Sequence, residues 1–511
     1  MKNTKRISRL LCLLLTMATI VGCAISFASC KKDPPPEEMT SDVQTDENTA
    51  ASGSEEELYR PGDVDFEDYD YKLLVTENSF GQSSFMYDSD ETPREVCDYA
   101  LWCRQALMEE RHGLTMSLII EPQPKASELL ATAVLSNVQD YCQGSAFYGT
   151  DWAAVAASGY LYDLNEMDEL NLEASYYDQR IQKEFNINGH LFVMEGEWSV
   201  KEDLTTIVVL YNDTAYESFG YDGKYGTPYQ LAAEGKWTYE MMTSMIKDTW
   251  QDLDGDGESG TGDFWGIVGD TVAPYYMFLG SGQKYITNDA GELSFASTDN
   301  TVWQTNYDIL EKYMGLCVDE NVIIIDRDAA GQGDVWKIAS DIFSSNHALF
   351  RTTALSATLR LMEMEDDYGI MPVPKYSEGQ EGYYCMTSGE PFMMPVCVSD
   401  PGKSALAFEL ISYYSLYMGG DSLSYAFYDL LAFARLCRDA DDVNMLKLVF
   451  ANKTYDLERA TQLSSVQNIT VQMCRKKNYS NLFSEIDATK DSTISKIQDF
   501  VINIESKLKR T

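Results

Sequence analysis

From residue 71 onward, short apolar runs and helical stripes take turns along the chain. Tyr71 to Thr76 (YKLLVT) is an apolar run of strand length. Thr92-Pro93 then opens a segment whose apolar positions Val96, Tyr99, Ala100, Cys103 and Leu107 share one helical face, and Gly113 supplies the stop. Leu114 to Ile120 follows at once as a second strand. Strand, helix, strand with short joints is a βαβ unit, which predicts a parallel sheet covered by helices. The theme repeats through a helix around Leu129 to Leu135, a strand-like Gly144 to Tyr148, and a helix Trp152 to Ala157 stopped by Gly159. Thr205 to Tyr211 (TTIVVLY) reads as another buried strand. Thr238 then caps a helix with the apolar stripe Met242, Met245, Ile246 and Trp250. The strand Phe264 to Val268 opens a second α/β lobe, with Trp265 in its core. Ala348 to Phe350 and Tyr368 to Pro374 mark further strand ends, and helical periodicity dominates from Ser404 to the C-terminus.

The 511 residues divide by about 150 residues per domain into three units or two large ones. Lys+Arg 39 against Asp+Glu 81 gives a net charge of −42, which repels nucleic acids and anionic surfaces. With 44% hydrophobic and 12% aromatic residues the chain can bury real cores. Its first thirty residues behave differently. Lys2, Lys5, Arg6 and Arg9 precede an apolar run from Leu10, the pattern of a secretion signal. Ile20-Val21-Gly22-Cys23 and Phe27-Ala28-Ser29-Cys30 each set small residues before a cysteine and resemble the lipobox of bacterial lipoproteins, which implies residues 1–22 as a cleaved leader and Cys23, or alternatively Cys30, as the acylated anchor. An uncleaved single span over Leu10 to Phe27 is the other reading. Residues 31–70 hold 14 acids and 3 bases, a composition expected to stay solvated, so residues 23–70 read as a disordered acidic tether. Of eleven cysteines, Cys12 joins these two in the leader region, and the other eight form no Cys-x-x-Cys pair, so mostly free thiols are expected.

Several motifs in order resemble the extracellular solute-binding proteins of bacterial ABC importers, family 1, the maltose-binding-protein-like group. They are Leu210-Tyr211-Asn212, Gly235-Lys236-Trp237-Thr238-Tyr239-Glu240, and Asp254-Gly255-Asp256-Gly257 before Phe264-Trp265-Gly266-Ile267. Asp367 to Tyr376 (DYGIMPVPKY) and Tyr425 to Asp439 continue the series. The resemblance spans roughly residues 71–460. It implies the α/β periplasmic-binding-protein type II fold, two α/β lobes joined by crossing strands with a ligand cleft. The N-terminal lobe would take residues 71–200 plus 388–428, and the C-terminal lobe 201–387 plus 429–511. Two departures stand out. Asp163-Leu164-Asn165 is followed by Tyr176-Tyr177 where relatives often carry paired tryptophans, and Arg351-Thr352-Thr353-Ala354-Leu355 lacks the aromatic that maltose-type binders supply for stacking.

What the resemblance implies mechanically is a solute trapped by hinge closure. Sugars present hydroxyl edges and apolar C–H faces, so their sites need carboxylate, amide and Arg groups beside aromatic rings. By the family pattern, first-lobe loops supply Glu77, Asn78, Asp151 and Trp152, and a crossover supplies Glu197 and Trp198. Tyr275, Tyr276, Arg351 and Thr352 come from the second lobe, with Tyr384 and Glu390 on the return crossover. Read from the residues alone, most such aromatics are core and most acids are solvated. A separate candidate is a calcium loop: Asp252, Asp254 and Asp256 fall at positions 1, 3 and 5, Gly257 at 6, Glu258 at 7 and Asp263 at 12 of an EF-hand-like pattern. The same segment also reads as an ion-free connector rich in Asx turns.

The expected function is capture of a carbohydrate, an oligosaccharide by preference, by a monomer held through its lipid on the extracellular face of the cytoplasmic membrane. It would deliver that solute to the transmembrane permease subunits, without catalysis. A surface glycoside hydrolase, needing two carboxyl groups about 5 to 10 Å apart, and a tethered carbohydrate sensor are the alternatives. His112, His190 and His347 are the only histidines, which argues against a zinc site.

Overall fold

A computed structural model describes residues 64–77, 85–89, 91–147, 151–326 and 334–508, without the side chains of Pro124, Asp151 and Leu508. The leader, both anchor cysteines, most of the acidic stretch and Asn78 lie outside the described residues. Nine strands make up the two main sheets: β1 (Tyr69–Thr76), β2 (Leu114–Glu121), β3 (Gly144–Ala146), β4 (Ile207–Asn212), β5 (Trp265–Asp270), β6 (Val322–Ile325), β7 (Ala348–Ala354), β8 (Tyr368–Met371) and β9 (Phe392–Met393). In the first sheet, of order β9-β3-β1-β2, β1 runs parallel to both neighbours and β9 returns antiparallel to β3. The second has order β8-β4-β7-β5-β6, with β5 parallel to β6 and β7 and with β4 antiparallel to β7 and β8. Strands β4 and β5 are buried along their whole length, as strands covered on both faces must be.

The predicted elements appear with shifted ends. The helix Val96–His112 stops at Gly113, whose φ of 61° only glycine adopts without strain and whose N–H bonds Glu109 O at 3.2 Å. Thr238 caps the helix Tyr239–Ile246 by accepting the Met241 N–H at 3.2 Å. That helix ends before Trp250, contrary to the stripe expected through it. Asn321 Oδ1 captures the N–H groups of Thr249 and Trp250 at 3.0 and 3.1 Å, and those donors are no longer available to the helix. The disordered tether also ends earlier than expected. Phe66 is buried, its N–H bonds His112 O at 2.7 Å, and the Lys403 ammonium caps the Tyr69 ring at 4.6 Å, so the chain packs from Val64 onward despite its acids.

Three segments cross between the sheets. The outgoing one exchanges two backbone hydrogen bonds with the returning one, Met194 N–H to Phe392 O at 3.0 Å and Phe392 N–H to Met194 O at 2.8 Å. The third, Lys453–Thr454, pairs parallel with Cys385–Met386. Helices of the C-terminal stretch reach both layers: Lys490–Leu508 packs on Asp151–Ala157 beside the first sheet, and Ala440–Ala451 packs on β8 of the second. The described residues from Val64 onward belong to one compact unit. Its eight cysteines are all buried and free, and no described helix is long and apolar enough to cross a membrane.

Candidate ligand-binding site

Strands β5 and β7 run parallel and end together at Asp270 and Ala354. In an α/β sheet the crevice outside the carboxyl ends of such strands is where ligands sit, because the chain leaves them in loops that diverge. A small cavity, partly open to solvent, lies there. Asp270 is at the end of β5, Arg351 and Thr353 project from β7, and Thr205 and Ile207 come from the entry to β4. The opposite wall is Ser388, on the returning crossover, and Arg459, on the helix Leu457–Thr461. A small adjoining recess is lined by Thr352, Val335 and Ala339 and shares Asp270, Arg351 and Trp336 with the cavity.

Two aromatic rings line the cavity, those of Tyr276 and Trp336. Tyr276 follows β5 on the helix Ala273–Gly280, and the Arg459 guanidinium lies 5.5 Å from its ring centre. Trp336 stands on the helix Val335–Ser344, capped by Asp334. Val335, Ala339, Ile342 and Phe343 form the buried stripe of that helix, and Trp336 falls beside it, half-buried, packed against the core on one side and lining the cavity on the other. The aromatic missing from residues 351–355 is thus supplied one element earlier.

The predicted residues divide into three groups. Tyr276, Arg351 and Thr352 come together around the cavity and its recess. Trp152, Trp198 and Tyr275 are core: Trp152 packs on Phe185 with ring centres 5.3 Å apart, Trp198 on Phe85 at 5.1 Å, and the Tyr275 hydroxyl donates to Asp456 Oδ2 at 3.0 Å. Glu77 is exposed at the end of β1, Tyr384 packs its ring against Gly282, and Asp151 begins a helix whose first side chain is outside the described set. Glu197 accepts from Ser424 Oγ at 2.5 Å, and Glu390 is buried against Lys201, with 3.8 Å between Oε1 and Nζ. Asp270, Trp336, Arg360, Ser388 and Arg459 were not anticipated. The position of Asp270 directly after an apolar strand, and of Trp336 off its helix's stripe, were the available signals.

Beneath the cavity the crossing segments bury a charged cluster. Lys453 Nζ lies 2.5 Å from Glu202 Oε1 and 2.8 Å from Asp203 Oδ1, and Arg180 Nε is 2.9 Å from Asp178 Oδ1. Both Glu195 oxygens are buried without a hydrogen-bond partner. Burial, reinforced by repulsion from Glu202 and Glu390, holds the Glu195 carboxyl well above the usual range. Burial likewise pushes Glu390 up to about 7 against the pull of Lys201.

The acidic loop is elsewhere on the surface. Asp252, Asp254 and Asp256 are exposed, with carboxylate oxygens within 4.8 Å of one another. Asp252 accepts the N–H groups of Gly255 at 2.6 Å and Gly257 at 3.0 Å, which curls the loop around those oxygens. Asp263 is buried and accepts from Leu253 and Gly260 at 3.3 and 2.8 Å. Each of these oxygens keeps a lone pair for a hard cation, and the donor set is all oxygen, as calcium requires.

No protein-family model matches the chain, and no curated protein matches it in sequence. Solved structures do. One is an ABC substrate-binding protein of Listeria monocytogenes in complex with cycloalternan, at 11% identity and a TM-score of 0.54, covering 84% of this chain and 99% of that one. A cyclo/maltodextrin-binding protein complexed with maltotetraose has 12% identity and a TM-score of 0.53 over 86% and 97%. M. tuberculosis UspC has 13% identity and a TM-score of 0.52 over 83% and 100%. With the two mixed sheets, the paired crossing segments and the cavity at the strand ends, this likeness makes the chain's fold that of the type II periplasmic binding proteins.

Proposed function

We propose that the protein is the saccharide-capturing component of an ABC importer. The observation that carries this reading is the cavity at the carboxyl ends of β5 and β7, where two rings stand beside guanidinium and hydroxyl groups. Rings stack on the apolar faces of a pyranose, and planar or hydroxyl donors satisfy its edges. Similar structures hold cycloalternan and maltotetraose, which supports an oligosaccharide as guest. Among the described residues the lining contains one carboxylate, Asp270. Glycoside hydrolysis needs two, so binding without cleavage is favoured. In this reading acyl chains on Cys23 or Cys30 hold the protein at the extracellular face of the cytoplasmic membrane, and closure over the guest presents it to permease subunits.

A thermal-shift screen against oligosaccharides tests the reading, because a ligand bound only by the folded chain raises its midpoint. One glycan class is expected to raise it by several degrees and to be recovered intact. Trp336→Ala should weaken that ligand by about 1 to 3 kcal/mol, the scale of a stacked ring on a pyranose or base. Absence of any shift across the panel, or recovery of shortened chains, overturns it.

We further propose that the Asp252–Asp263 loop holds a structural calcium ion. Trp265 Nε1 donates to Gly260 O at 2.9 Å within the loop, so its indole is placed to sensitise bound terbium. Terbium luminescence that calcium competes away, and that Asp254→Asn abolishes, is the expected result. Luminescence unchanged by the substitution overturns the site.

A further inference from the structure

We propose that the saccharide taken by this cavity carries a carboxylate, as a uronate does, and that Arg351 clasps it. This rests on the saccharide-binding reading and narrows its ligand class.

The first observation is a reversal of charge. The chain carries 81 acids against 39 bases, yet among the described residues the cavity lining has Asp270 against Arg351, Arg360 and Arg459, so 3 − 1 = +2. Arg360 is offset at the mouth by Asp334, with 2.8 Å between Nη1 and Oδ2, both partly exposed. Counting Asp334 still leaves the wall positive.

The second observation is what Arg351 lacks. Its side chain is 1% exposed, and its one hydrogen bond runs from Nη1 to Ser340 Oγ at 3.0 Å. Among the described residues no carboxylate comes within 4.0 Å of it. The other wholly buried guanidinium, Arg104, keeps an unbonded Nε but has three partners in the fold, the carbonyls of Trp198 and Phe85 and Ser415 Oγ, against one for Arg351. Burying a cation without an anion or a full set of acceptors is costly, and the cost is met when an anion arrives. Burial, with repulsion from Arg360 and against the pull of Asp270, lowers the Arg351 guanidinium to about 9.

The third observation is the setting. Thr352 Oγ1 is buried with no hydrogen-bond partner, and Thr352 belongs to the lining of the recess next to Arg351. A planar guanidinium fork matches two carboxylate oxygens, and a hydroxyl beside it takes a third contact. Trp336 borders both spaces. Arg459, held by Ser388 Oγ at 3.0 Å and by the Tyr276 ring, completes a positive rim opposite.

Titration calorimetry of the full chain tests this with four probes: an oligogalacturonate, its methyl ester, a neutral maltotriose, and a sulfated oligosaccharide. The oligogalacturonate is expected to bind at least about ten-fold more tightly than its ester. Its affinity should fall as sodium chloride rises from about 50 to about 500 mM. Arg351→Gln should erase the preference for acid over ester, with far-UV dichroism establishing that the variant folds. Should it not fold, Arg459→Gln on the opposite wall should reduce the same preference. Neutral saccharide binding as tightly as the acid overturns the proposal and leaves the saccharide reading standing. Sulfated saccharide preferred over uronate overturns the carboxylate assignment. Failure of all four probes, with a thermal shift from some other solute class, overturns the saccharide reading as well.

Discussion

Lys453→Met is expected to destabilise the protein by about 3 to 5 kcal/mol, the usual cost of removing one partner from a buried ion pair. Lys453 lies on the third crossing segment, and its ammonium is the cation in direct contact with Glu202 and Asp203. Around them sit Asp178 and the unbonded Glu195, and the Tyr428 hydroxyl donates to Asp203 Oδ2 at 2.9 Å. Desolvation alone would lower the proton affinity of Lys453, but Asp203 and Glu202 hold it well above the ordinary lysine range. Methionine fills similar space and leaves two acids facing each other in a dry environment. Urea unfolding at neutral pH measures the loss. Adding Glu202→Gln to Lys453→Met should restore part of it, since one of the stranded charges is gone. A change below about 1 kcal/mol would mean that the cluster is hydrated and worth no more than a surface pair.

Stability should also fall, not rise, as pH goes from weakly acidic to alkaline. Glu390 and Glu458 are 2% and 1% exposed. Burial, opposed by Lys201 in the first and by Ser464 in the second, pushes each up to about 7 from an ordinary 4.5. The folded chain therefore holds these two protons after the unfolded chain has released them. With more protons bound folded than unfolded, stability declines from about pH 4.5 to about pH 8. Each group costs on the order of 3 kcal/mol at the alkaline end, at about 1.4 kcal/mol per pH unit. The remaining net charge of the chain adds repulsion in the same direction. Melting temperatures measured across this range should peak on the acidic side. Glu458→Gln keeps an acceptor for the Ser464 N–H, which the carboxylate now takes at 2.8 Å. It should raise the midpoint at pH 8 and leave it nearly unchanged at pH 4.5. A wild-type midpoint that climbs steadily to pH 8 would contradict the burial argument.

Strands β4 and β5 were readable because each is a short apolar run that the sheet buries on both faces, whereas β6 and β9 were not read. Helix boundaries were readable where a cap is written locally, the start at Thr238 and the stop at Gly113. Ends decided by distant partners were not. Trp250 continues the stripe of its helix, yet Asn321, seventy-one residues on, takes its N–H. The site was legible in part for the same reason. Tyr276, Arg351 and Thr352 lie beside strand ends that the motif order identifies. Arg459 and Ser388 reach the cavity only through the crossings, and no local pattern marks them. The large aromatics Trp152 and Trp198 misled, because a ring's size makes it equally suited to stacking on a sugar and to filling a core, and here Phe185 and Phe85 take them. Trp336 shows the converse: an aromatic beside its helix's buried stripe touches the core and still lines the cavity.

A crystal structure of the protein with the saccharide that stabilises it most decides where the guest sits. The expected result is one sugar ring stacked on Trp336 at the carboxyl ends of β5 and β7, with Arg351 and Asp270 within hydrogen-bond distance and every glycosidic bond intact. A guest bound outside that cavity, or present only as cleaved product, would contradict both the site and the role assigned to it.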